Sequence, residues 1–159
     1  MLLGHSAGAQ VVAHAAAAAG DRVVGLVLVG PSTDPRARSW PALLGRWLRT
    51  AAHERPGQLP VLAWSYARTG PLHGMRTMEA ARHDDVHETL AAVRCPVLVL
   101  RGRHDRICPL DWAERVAAAG PAGSRVETLP VGAHMVPLTH GPQVAAAVAA
   151  YLRADVSGA

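Results

Sequence analysis

Valine and leucine gather along this chain in short uninterrupted runs that stop at glycine or proline: Val23 to Val29, Val97 to Leu100 and, less densely, Val126 to Val131. Runs of this length without polar alternation predict strands buried on both faces, the habit of a parallel sheet. Between them the apolar positions spread into helical stretches, Ala7 to Ala19 closed by Gly20, Trp112 to Ala119 closed by Gly120, and Pro142 to Arg153 with Pro142 suited to a first turn. Strand and helix alternate, so the expected fold class is α/β, a mostly parallel sheet of about four strands flanked by helices.

Residues 35–93 break the alternation. They hold no valine-rich run and instead carry Trp40, Trp47, Trp64 and Tyr66 among alanines, leucines and arginines, with prolines at 41, 56, 60 and 71 that divide the stretch into short helices. The expected organisation is therefore a core in two pieces, 1–34 and 94–154, a helical insertion at 35–93, and a short tail at 155–159. No internal repeat or low-complexity linker interrupts it.

Half of the 159 residues are hydrophobic, enough to fill one domain core. The formal charge is +4, but the arginines are scattered among alanine and leucine rather than gathered with aromatics on one face, which argues against nucleic acid as a partner. Cys95 and Cys108 have no metal or disulfide spacing, and a reducing cytoplasm is the expected compartment. The alanine-rich start is not read as a secretory leader, because no Lys or Arg precedes Arg22 and His5, Ser6, Gln10 and His14 interrupt it. No apolar run reaches membrane-spanning length, so no membrane partner is expected.

The chemistry begins with Gly4-His5-Ser6-Ala7-Gly8, a G-x-S-x-G motif placed between a short apolar lead, Leu2-Leu3, and an alanine-rich helix. A strand that turns sharply into a helix pushes the serine hydroxyl outward, with Gly4 and Gly8 expected to avoid side-chain collisions. The helix amino terminus then favours negative charge forming beside Ser6. Two more turns follow strands in the order serine, acid, histidine. Arg101-Gly102-Arg103-His104-Asp105 puts Asp105 at a strand's carboxyl end, and Gly132-Ala133-His134 does the same for His134. His140 is the rival histidine, expected to cap the last helix or to be solvated. His83 and His87 are spaced as metal ligands on one helix face could be, but no third ligand is in view, and they are read as surface; His5, His104 and Cys108 are read as structural.

With its motifs in this order, the chain resembles the α/β-hydrolase superfamily from the elbow motif to the last helix. The resemblance implies that Ser6 is the nucleophile, Asp105 the acid and His134 the base, that the backbone N–H of Ala7 contributes to the oxyanion hole, and that the insertion is a cap over the pocket. Asp34 is the alternative acid, since some relatives place it there. The implied substrate is a small acyl compound, a carboxylic ester or thioester, handled without cofactor or metal; acyl transfer and perhydrolysis use the same triad. No glycine-rich phosphate loop supports a nucleotide-binding reading.

The resemblance begins at the elbow, so the chain reads as the carboxyl-terminal portion of that fold. The strand before Ser6 is then expected to be a short edge, open to self-association or to a complementing polypeptide. A second expectation from another class follows: a non-catalytic remnant or interaction module.

Overall fold

The computed structural model describes residues 1–32 and 34–156; residues 157–159 of the expected tail lie outside the described residues. Among them, four strands, β1 (Leu2–His5), β2 (Leu26–Val29), β3 (Val97–Gly102) and β4 (Arg125–Leu129), pair in parallel in the order β1-β2-β3-β4. Helix α1 (Ala7–Ala19) joins β1 to β2, and α2 (Trp40–Ala51), α3 (Leu59–Thr69), α4 (Pro71–His83) and α5 (Val86–Ala91) lie between β2 and β3. Helix α6 (Leu110–Ala118) links β3 to β4, and α7 (Val136–Thr139) and α8 (Gly141–Tyr151) follow.

β2 and β3 are buried at every residue, which is why β2 and the first four residues of β3 are unbroken valine and leucine. The pleat sends Leu26, Leu28, Val97 and Val99 into one core and Val27, Val29, Leu98 and Leu100 into the other. The first core is closed by α1, α5 and α6. Ala9, Ala13 and Ala16 give α1 a stripe of small side chains there, beside Trp112, Ala113 and Val116 of α6. The second core is closed by Val136, Val144, Ala147 and Tyr151.

Element boundaries differ from the sequence reading for identifiable reasons. β2 starts at Leu26 rather than Val23, because Val24 faces solvent and Leu26 N–H meets the Tyr151 hydroxyl at 3.2 Å, which in turn donates to the Pro96 carbonyl at 2.5 Å. Burial accordingly pushes that phenol up to about 12. β3 continues to Gly102 through buried Arg101, whose guanidinium donates to the carbonyls of Cys108 at 2.8 Å and Asp105 at 2.9 Å. Hydrophobicity alone stops at Leu100 and misses this. Pro41, Pro60 and Pro71 stand in the first turns of α2, α3 and α4, so they start helices instead of interrupting them. This segment is only loosely covered: Leu44, Leu48, Leu59, Trp64 and Leu72 are exposed.

The carboxyl ends of all four strands face one way. They deliver Ser6, Gly30, the Asp105 loop and the His134 loop to a single edge of the sheet. Among the described residues, no helix is long and apolar enough to cross a membrane.

Candidate active site

Ser6 sits between β1 and α1 with φ 53° and ψ −124°, the one non-glycine residue with positive φ among those described. Such a backbone costs free energy and persists only where its surroundings enforce it. The enforcement is visible at Gly4, where a Cβ would drive into the Gly8 carbonyl and come within 2.6 Å of Val12 Cγ2. Gly8 is different, since a Cβ there meets no atom within 4 Å. The expectation that both glycines relieve crowding is corrected to Gly4 alone. Gly4→Ala is expected to destabilise the chain by about 1–3 kcal/mol through overpacking, whereas Gly8→Ala, inside α1, leaves stability equal or raises it by up to about 1 kcal/mol. Urea titration of the two variants checks the opposite signs.

The structure brings Ser6, His134 and Asp105 together. The Ser6 hydroxyl lies 2.9 Å from His134 Nε2, and His134 Nδ1 lies 2.9 Å from Asp105 Oδ2. A carboxylate only accepts, so the ring hydrogen sits on Nδ1, and the Nε2 lone pair faces the serine hydroxyl. The other oxygen of Asp105 accepts from the N–H groups of Ile107 and Cys108, each at 2.9 Å, which fixes the carboxylate plane. Asp105 and His134 are 1% and 5% exposed. The N–H of Ala7, in the first turn of α1, has no intrahelical acceptor and stands beside the serine.

Two glycines make room for this arrangement. Gly30, with φ 54°, follows β2, and a Cβ there would lie 3.1 Å from both Asp105 Oδ2 and the His134 ring. At Gly102 a Cβ would strike the Ala133 carbonyl, next to His134.

Asp34 is placed elsewhere. Its carboxylate is fully buried and taken up by Arg36 at 2.8 Å and Arg46 at 2.7 Å. Burial pushes this carboxyl up, but hydrogen bonds from Arg36 and then Arg46 outweigh it and hold it below its usual range. Arg36 also reaches Asp111 at 2.6 Å, so this corner is a structural ion network.

His5, read from sequence as a bystander, donates from Nε2 to the His134 carbonyl at 2.9 Å. Burial, and next the neighbouring His134, lower its pKa from 6.5 to about 4. Below pH 6.5 the unfolded chain binds a proton here that the native chain refuses. This share of stability is therefore whole above pH 6.5, falls as the pH drops, and is lost by about pH 4. The urea midpoint is expected to decrease from pH 7 to pH 4.5, and by less in His5→Gln, which keeps an N–H donor.

The remaining histidines stand apart from the serine. His140 Nδ1 lies 2.8 Å from Thr139 Oγ1, and its Nε2 lies 3.2 Å from Arg55; it occupies the N-cap position of α8 without a side-chain cap bond. His104 stacks on His53. His83 ends α4 and His87 belongs to α5, so they do not share a helix. No cluster of three or more His, Cys, Asp or Glu is set to hold a metal among the described residues. Cys108 is fully buried, and desolvation raises its thiol well above the ordinary value.

A cavity of about 410 Å³ opens beside His134, walled by Trp47, Leu59, Leu62, Tyr66, Ile107 and Met135. Its size is that of a small-ligand pocket.

Residues 1–147 match the family described as "Alpha/beta hydrolase family". The chain belongs to that family. A curated alpha/beta hydrolase superfamily protein of Bacillus subtilis, YisY, is 46% identical over 37 residues, 23% of this chain and 14% of that protein. Among solved structures, this alpha/beta hydrolase chain is similar to an esterase from Exiguobacterium antarcticum, with TM-score 0.72 and 20% identity over 97% of this chain. It is also similar to a bromoperoxidase from Bacillus anthracis, with TM-score 0.74 and 17% identity over 96% of this chain. A hydrolase from Pseudomonas aeruginosa gives TM-score 0.67 and 26% identity over 94% of this chain. The alpha/beta hydrolase chain spans 66%, 66% and 63% of those three structures, just under two thirds.

Proposed function

We propose that this chain carries the nucleophile, acid and base of a serine hydrolase acting on a carboxylic ester or thioester. The reading rests on the continuous hydrogen-bond chain from Ser6 through His134 to Asp105. His134 Nε2 takes the hydroxyl proton as Ser6 Oγ attacks the acyl carbon, and Asp105 stabilises the imidazolium through Nδ1. Negative charge then gathers on the former carbonyl oxygen, where the Ala7 N–H and the α1 dipole favour it. Collapse of the adduct breaks the bond to the leaving group, which receives the proton from His134. Water attacks the acyl-enzyme by the same route, regenerating Ser6.

Residues 35–93 act in this scheme as a cap, and the apolar walls of the cavity beside His134 suit an apolar acyl or alcohol part. Labelling with a fluorophosphonate probe, next to a Ser6→Ala control, tests the proposal. A mass adduct at Ser6 that disappears in the control supports an activated serine. A folded chain that takes no label overturns the proposal and favours a non-catalytic interaction module.

A further inference from the structure

The last turn of α2 and the segment that follows it are stitched to both catalytic loops. Thr50 Oγ1 accepts from the Arg106 N–H at 3.1 Å, and the His53 ring stacks on His104 with centroids 4.5 Å apart, both on the acid loop. Arg55 donates to the Thr139 carbonyl at 3.2 Å, beyond the histidine loop. Between these contacts stands Glu54. One of its oxygens, Oε1, accepts from the backbone N–H groups of both His134 and Met135, each at 2.8 Å, and Oε2 accepts from Gln58 at 3.1 Å.

The main chain of His134 is thus held at both ends, its N–H by Glu54 and its carbonyl by His5. Its ring is held through the two nitrogens by Asp105 and Ser6, and its loop is also tied to the acid loop by the His104 N–H on the Gly132 carbonyl at 3.1 Å; the Glu54 bonds act on the main chain between these restraints. We propose that Glu54 is a positioning residue for the base: its carboxylate sets the height of the His134 loop and so the separation of Nε2 from Ser6 Oγ. What matters is an acceptor oxygen at the right reach. The substitution Glu54→Gln keeps that oxygen, and the Gln58 amide, whose buried Oε1 has no partner, could turn to receive the new amide hydrogens. Glu54→Asp keeps the charge but is one methylene short.

The inference rests on Ser6 and His134 acting as nucleophile and base. It is tested by the rate of fluorophosphonate labelling and, with a p-nitrophenyl acyl ester, by kcat and KM, in the full chain and in Glu54→Gln, Glu54→Asp and Glu54→Leu. A misplacement of about 1 Å at a reacting pair costs about 10²-fold. The expected result is a loss of that order in kcat and labelling for Asp and Leu, with KM little changed, and a rate within a few-fold of the parent for Gln. Parent rates in both Asp and Leu overturn the proposal, as does an effect confined to KM, which would make Glu54 only a wall of the cavity it also lines.

Amide hydrogen exchange separates this from the failure of the catalytic reading. The His134 and Met135 amides should be protected in the parent and lose protection in Glu54→Asp, while β2 and β3 amides keep theirs. Unchanged protection overturns the proposal even where no variant, the parent included, reacts at Ser6.

Discussion

Asp105→Asn should fold as the parent does and react at Ser6 about 10⁴-fold more slowly. The asparagine oxygen can still accept from Ile107 and Cys108, so the loop keeps its two 2.9 Å bonds. Its amide nitrogen then faces His134 Nδ1 and donates there. That moves the ring hydrogen to Nε2, which points a donor at the serine hydroxyl where a base is needed. Labelling kinetics with the melting temperature measured alongside check the result. A variant as stable as the parent that labels within tenfold of its rate would remove Asp105 from the acid role.

The second large effect is on stability. Asp34→Ala leaves Arg36 and Arg46 beside an empty buried site, and removing one partner of a buried ion pair costs about 3–5 kcal/mol. The low end applies, because Arg36 is half in solvent and can rehydrate. For a chain of this size about 3 kcal/mol lowers the melting temperature by roughly 10 °C. At a temperature where the variant is still folded, labelling of Ser6 should proceed at the parent rate. A collapse of labelling without a change in melting would instead assign the acid role to Asp34. The Asp105 and Asp34 variants together thus distinguish an acid that orients the base from one that braces the fold.

These two aspartates show how far the sequence could be read. Each follows a strand, and residue type alone does not separate them. The difference lies in Arg36 and Arg46, which fold back on Asp34, and in the Ile107 and Cys108 amides that cradle Asp105. The interior strands were legible because burial on both faces forces continuous valine and leucine, as was α1, bounded by Ser6 and Gly20. Arg101 was hidden, since a charged residue buried in a strand is satisfied only by carbonyls that the following turn brings round. His5 carried a weak signal, lying next to the serine in the motif. Glu54 carried none: it reaches His134 across 80 positions of sequence, from a stretch with no motif at all.

Four glycines close to the serine, acid and histidine enlarge the target that random substitution presents to this site. Gly4 and Gly102 leave no space for a Cβ against backbone carbonyls, Gly30 borders the acid and base directly, and a Cβ at Gly132 would lie 2.6 Å from Val136 Cγ1. A missense change at any of them adds a side chain where the site is already crowded. Under mutational drift without selection, Ser6, Asp105 and His134 can therefore survive intact in a chain whose geometry has already been lost, and an unaltered serine, aspartate and histidine do not by themselves certify a working site.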